Sequence, residues 1–196
     1  TVAVNFDYQN AHLLMYGCDT FLGQRADQVA AVQAWVAAST FAVLAHPVKN
    51  QFRLDEGVFN MLQGVEIWNQ QYDGKLLPRF RSLALAEKER SERPLVVTGG
   101  LDLHREEHFG APLTVLELDS LSEQGVLQAL KTGRYTFGSA RSTVSAWQAW
   151  EPTPGERIVG VTSRLMIACG KRVNAGLHAL HLPRPRRLAT LLRRWL

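Results

Sequence analysis

Cysteine is almost missing from this chain: Cys18 and Cys169 are the only two, 151 positions apart. That usage excludes a disulfide-stapled scaffold and makes a reducing, cytoplasmic setting the default. No apolar run approaches the ~18 residues of a membrane-spanning helix, and no signal peptide, internal repeat or low-complexity tract is visible. Acidic residues stop short of the C-terminal end: from Arg157 onward there are nine Lys/Arg and no Asp or Glu. The first 156 residues carry the other 13 basic and all 18 acidic side chains, a net of −5. A mildly acidic body thus precedes a strongly basic end. There is also no initiator Met. The chain opens at Thr1 inside a strand-like run, the expectation for a piece of a larger domain.

What is present suits one domain with a real core: 196 residues, 46% hydrophobic and 20% charged. Residues 1–6 and 11–18 are β-like runs around the turn-forming residues 7–10. In the second run His12, Leu14 and Tyr16 share one face, and Leu13 and Met15 the other. The spacing of Val29, Val32, Trp35 and Val36 predicts a helix over 26–38. Residues 41–45 (FAVLA) read as a strand buried on both faces, ended by His46-Pro47, where Pro47 biases His46 towards extended geometry. A short helix around 57–62, a strand at 65–68 (GVEIWN) and a helix over 78–92 follow. Next comes the stretch that organises the chain, residues 94–104 (PLVVTGGLDLH): a buried strand, two glycines to turn the backbone, then Asp102 and His104. A strand at 113–118, a helix opened by a Ser120/Glu123 capping box and ended at Gly133, and a strand at 135–137 close the set. Residues 139–156 are irregular, 159–168 read as strand or helix, and 187–196 as a helix.

Alternating strands and helices predict a parallel α/β arrangement, with functional groups at the C-terminal strand ends. Taken singly, the candidates have plain structural readings: His12 a satisfied strand histidine, His46 a strand-end cap, Asp102 a loop cap, His104 a solvated side chain. Together they are four metal-type ligands on three strand ends. Imidazole and carboxylate suit zinc, manganese or iron, and a site with open positions activates water.

The motifs FAVLAHP, GVEIWN and VVTGGLDLH, in that order, together with Ala11-His12-Leu13-Leu14, resemble the PHP (polymerase and histidinol phosphatase) domain family. The match covers about residues 11–137. The resemblance implies a distorted (β/α)7 PHP-type barrel, incomplete at the N-terminus, over residues 1–140, with 141–196 an irregular segment and basic C-terminal extension. It implies up to three divalent metal ions (Zn, Mn or Fe), His12 and His46 sharing one, Asp102 on a second and His104 on a third. It further implies a metal-dependent phosphoesterase in which metal-bound hydroxide attacks a phosphate ester, either a phosphorylated small molecule or a nucleic-acid end. The chain departs from the family in having no H-x-H and no acid within residues 1–3, where a glutamate is expected.

Around the four ligands, Asn69, Lys49 and Arg105 are candidate substrate contacts, and Glu66 and Asn69 could orient a ligand. Each has a plain alternative as a solvated cation or a satisfied strand end. His108, four residues past His104, is not read as a ligand, and His178 and His181 are read as structural or solvated. The basic tail PRPRRLATLLRRWL (183–196) either binds nucleic-acid backbone or an anionic surface, or docks its leucines on the body. The alternative to the enzyme is a degenerate, non-catalytic PHP module with a structural or nucleic-acid-binding role through that tail.

Overall fold

The computed structural model describes residues 2–8, 11–18, 29–49, 51, 53–74, 76–104, 109–139, 142–147 and 152–180. Strand β1 (Val2–Tyr8) pairs antiparallel with β2 (Ala11–Cys18), with Asp7 opposite His12 in register. A connection of two residues allows only that pairing. Side chains of β2 alternate as a period of two requires: Ala11, Leu13 and Met15 are buried, while His12, Leu14 and Tyr16 are half-buried. Helix α1 (Val29–Ala38) buries Val32 and Val36; residues 26–28 of the expected helix lie outside the described residues.

The next two strands form the middle of the molecule. Every residue of β3 (Phe41–Ala45) is buried, and so is every residue of β4 (Gly64–Asn69), as continuous apolar runs demand. Between them lies α2 (Glu56–Phe59), whose first turn is capped by Asp55 accepting from the Val58 N–H at 3.1 Å. After β4 come α3 (Gln70–Asp73), α4 (Phe80–Arg90) and β5 (Val96–Gly100). The first sheet has the order β1-β2-β3-β4-β5. The second sheet consists of β6 (Leu113–Leu116), β7 (Tyr135–Gly138) and β8 (Thr143–Ser145), with α5 (Glu123–Thr132) between its first two strands.

This architecture overturns the expected (β/α)7 barrel. Among the described residues the strands form two open sheets, one of five strands and one of three, with no closed barrel. Only β3, β4 and β5 pair in parallel; β1–β2–β3 and β6–β7–β8 are antiparallel. A parallel neighbour requires a crossover of a dozen or more residues, usually a helix. The chain from β5 to β6 has no helix among its described residues, so β6 starts a new sheet instead of extending the first.

The sheets meet along β5. The Tyr135 hydroxyl donates to the Val97 carbonyl at 3.0 Å, and the Val97 N–H donates to the Ala146 carbonyl at 3.0 Å. Gly99 lies against Phe137: a Cβ there would stand 2.4 Å from the ring. Both Gly99 and Gly100 sit inside β5 rather than in a turn, so their value is close approach, not conformational freedom.

Elsewhere the termini of elements explain themselves. Ser122, not Ser120, caps α5 by accepting from the Gly125 N–H at 3.1 Å, and Gly133 ends it at φ 68° in the left-handed region. Helix α6 (Pro154–Ala179) absorbs the segment read as strand or helix; a Thr153/Glu156 capping box and Pro154 at its first position start it. Residues 141–196 are therefore only partly irregular, since β8 belongs to the second sheet. The helix expected at 187–196 lies outside the described residues. No helix among the described residues is long and apolar enough to cross a membrane.

Overpacking the junction between the sheets costs typically about 1–3 kcal/mol. Gly99→Ala should therefore lower the thermal midpoint. Gly155→Ala, in the first turn of α6 with its nearest neighbour 4.0 Å away, should leave it level or raise it. Scanning calorimetry on both variants checks the contrast; equal midpoints would show that Phe137 does not press on β5.

Candidate functional site at the strand ends

Antiparallel pairing of β2 with β3 sets His12 opposite Ala45, so the first turn of one strand and the last of the other share an edge. His46 follows directly. His46 Nε2 stands 3.0 Å from His12 Nδ1, with the ring centroids 4.6 Å apart at 68°. Lys49 Nζ lies against His12 Nε2, placed there by a turn in which the Lys49 N–H donates to the His46 carbonyl at 2.9 Å. His46 does not take the extended geometry that Pro47 favours. Its φ is 28°, a region that costs a non-glycine residue of order 1–3 kcal/mol.

Glu66 holds that conformation. Fully inside β4, its Oε2 accepts from the His46 N–H at 2.6 Å and from Asn69 Nδ2 at 3.0 Å. Its Oε1 faces Gly100, where a Cβ would stand 2.5 Å away, so the second glycine of the GG pair makes room for this carboxyl group. Asn69 Nδ2 also reaches Asp102 Oδ2 at 3.5 Å, while its Oδ1 caps α3 by accepting from the Gln71 N–H at 3.0 Å. Asn69 is thus buried and committed within the protein, a bridge between β4 and the loop after β5.

Asp102 is the second residue here with a positive φ, at 51°. One of its oxygens points to Asn69; the other is 3.1 Å from His104 Nε2. His104 is 70% exposed, at the mouth of the site. His12, His46, Asp102, Asn69 and Lys49 therefore occupy one edge of the sheet, as their strand-end positions predict, and His104 joins through Asp102. Arg105 and His108 lie outside the described residues, as do His181 and the tail from 183 to 196. His178 is on α6.

Two residues that sequence reasoning passed over belong here. The Tyr72 ring stacks at 4.9 Å on the His46 ring. Asp73 accepts from the Asn69 N–H at 2.8 Å and pairs with Arg79, which also donates to the Tyr72 carbonyl at 2.7 Å. A carboxylate four residues past a wholly buried strand, six residues before an arginine, is the only signal in the sequence for that clamp.

The electrostatics follow from burial. Burial pushes the Glu66 carboxyl up to about 8; the Asn69 amide and the His46 N–H oppose this, and Asp73 and Asp102 add to it. Burial also pushes His46 down to about 4, aided by His12 and Lys49 against Asp102. At neutral pH, Glu66 is protonated and His46 is a neutral imidazole with a lone pair. His46 Nδ1 is buried and has no hydrogen-bond partner among the described residues. The facing nitrogens of His12 and His46, with the Asp102 carboxyl at the same strand ends, are donors of the type a borderline divalent cation takes. Among the described residues no three His, Cys, Asp or Glu side chains converge on a single point. A shallow groove of about 480 Å³ at the opposite end of β5 has no part in this: its Arg90 and Arg93 are spent on backbone carbonyls.

These shifts set a pH dependence for the metal-free protein. The contribution of Glu66 is full below its ordinary 4.5 and is lost as pH rises through about 8. That of His46 is full above 6.5 and is lost as pH falls towards about 4. The two oppose between 4.5 and 6.5, so only Glu66 acts from 6.5 to 8. In chelator, the thermal midpoint should fall across that upper window, and Glu66→Gln should flatten the fall; an unchanged slope in the variant would assign it to another group. Comparisons with family models, with curated proteins and with solved structures found no match to this chain.

Proposed function

We propose that this strand-end site binds divalent metal and hydrolyses a phosphate ester. The observation that carries the reading is the His12–His46 pair, with nitrogens 3.0 Å apart, and an Asp102 tied to the same strand ends through Asn69, His46 and Asp102 both lying at positive φ. Strain kept at two adjacent candidate ligands, and stabilised by a buried hydrogen-bond network, is how a fold fixes reacting groups in place. A zinc, manganese or iron ion bound there supplies Lewis acidity, lowering the pKa of water and offsetting charge on phosphoryl oxygens.

The chain's own groups take distinct roles in this reading. His12 and His46 offer the facing imidazole nitrogens, and burial keeps His46 unprotonated and able to bind. Asp102 and His104 form a second acid–imidazole pair at the open side, where a proton can pass to a leaving group. Lys49 places a cation beside His12, within reach of a phosphoryl oxygen brought to this edge. Glu66, Asn69 and Tyr72 position the others and exclude water from behind the site. The resemblance to PHP phosphoesterases in AHP and GLDLH supports the same chemistry. A usage of two cysteines in 196 residues, Cys18 buried and Cys169 exposed, supports a reducing, cytoplasmic setting.

Hydrolysis of p-nitrophenyl phosphate by protein supplied with Mn or Zn tests the proposal. His46→Ala and Asp102→Ala should each reduce turnover at least about a hundredfold, the scale on which an acid–base or ligand group acts. Circular dichroism should stay unchanged. Turnover at the parent rate in both variants would remove these residues from the chemistry.

A further inference from the structure

Helix α6 has a second face that the other described residues leave exposed. On the docked side, Gly160 is buried with Phe80 3.0 Å from where its Cβ would be, the Arg164 guanidinium lies 4.5 Å from the Phe80 ring centre, and Lys171 Nζ lies 5.0 Å from that of Tyr72. At 3.6 residues per turn these positions share one side. The opposite side carries Ile158, Val161, Leu165, Cys169, Val173, Gly176 and Leu180 at steps of three and four residues. Ile158 is 68% exposed, Val161 50%, Leu165 61%, Val173 47% and Leu180 70%. A Cβ at Gly176 would meet nothing within 4 Å. The stripe runs the length of a 26-residue helix, about 39 Å at 1.5 Å per residue.

The charge beside this stripe has one sign. Arg157 and Arg172 are exposed, and no Asp or Glu follows Glu156 anywhere in the chain. The sequence beyond Leu180 adds Arg184, Arg186, Arg187, Arg193 and Arg194, interspersed with Leu182, Leu188, Leu191, Leu192 and Trp195. A helix with an exposed apolar stripe and no acidic residue beyond its first turn matches an anionic lipid surface, its side chains entering the acyl boundary and its arginines meeting headgroups. A nucleic acid would engage the arginines and leave the stripe in water. A second copy would bring a helix of the same charge against this one.

We infer that the outer face of α6 docks on the surface of an anionic phospholipid bilayer. This inference stands apart from the hydrolytic reading and survives if that reading fails. Co-sedimentation of the whole chain with vesicles of phosphatidylcholine plus phosphatidylglycerol, and with phosphatidylcholine alone, tests it. The parent should pellet with the mixed vesicles and remain in the supernatant with the neutral ones. Leu165→Asp, a change at an exposed position, should weaken that binding at least about tenfold with unchanged circular dichroism, and Arg157→Gln with Arg172→Gln should weaken it further. Three results would each overturn the inference: Leu165→Asp binding vesicles as the parent does, the parent preferring an oligonucleotide to the mixed vesicles irrespective of Leu165, or a parent dimer in sedimentation velocity that Leu165→Asp dissociates.

Discussion

The Glu66 carboxyl, buried in the middle of β4, accepts from the His46 N–H at 2.6 Å and from the Asn69 amide at 3.0 Å. Through the first bond it governs the end of β3; through Asn69 it reaches the Asp102 loop after β5. A buried acceptor without partners costs about 1–3 kcal/mol, more if charged. The three strand ends and this group therefore specify one another. Glu66 needs their donors, and His46 and Asp102 need its network to remain at φ 28° and 51°. Removing the carboxyl would release the strain and leave the edge of the sheet to relax.

Below that polar edge the sheet is conventional. Phe41, Leu44, Val65, Ile67, Trp68 and Val97 fill the interior. Trp68 meets its one polar requirement by donating to the Gly74 carbonyl at 2.8 Å, which also secures the turn that presents Tyr72 to His46. Asp73 and Arg79 hold the same turn from the other side. The second sheet supports β5 from behind through Tyr135 and Phe137, so the loop carrying Asp102 and His104 leaves from a fixed strand. Apolar packing sets where the strands end, and a few buried polar bonds set which side chains meet there.

Much of this could be read from the residues. The alternation in β2, the solid runs FAVLA and GVEIWN and the glycine stop after α5 obey local rules. His12, His46 and Asp102 could be grouped because strand ends at one edge are neighbours. The mistaken barrel came from the family resemblance, and the all-parallel arrangement from helices between strands, which look like crossovers whichever way the chain returns; the two-residue link from Tyr8 to Ala11 was the one strong cue to antiparallel pairing. The φ of His46 was also hidden, because the rule for residues before proline points the other way and a buried carboxyl twenty residues on overrides it. Glu66 did carry a signal: a lone acid in a strand buried at every position must have partners. Tyr72 carried none, as its place depends on α3 and the Asp73–Arg79 pair.

The central claim is that His12 and His46 face each other in order to share a cation. Elemental mass spectrometry of the parent and of His46→Ala, each dialysed after exposure to zinc or manganese, tests this most directly. The account predicts at least about one ion per parent chain and a clear loss in the variant. A parent that retains no metal, or a variant that retains as much as the parent, would contradict it.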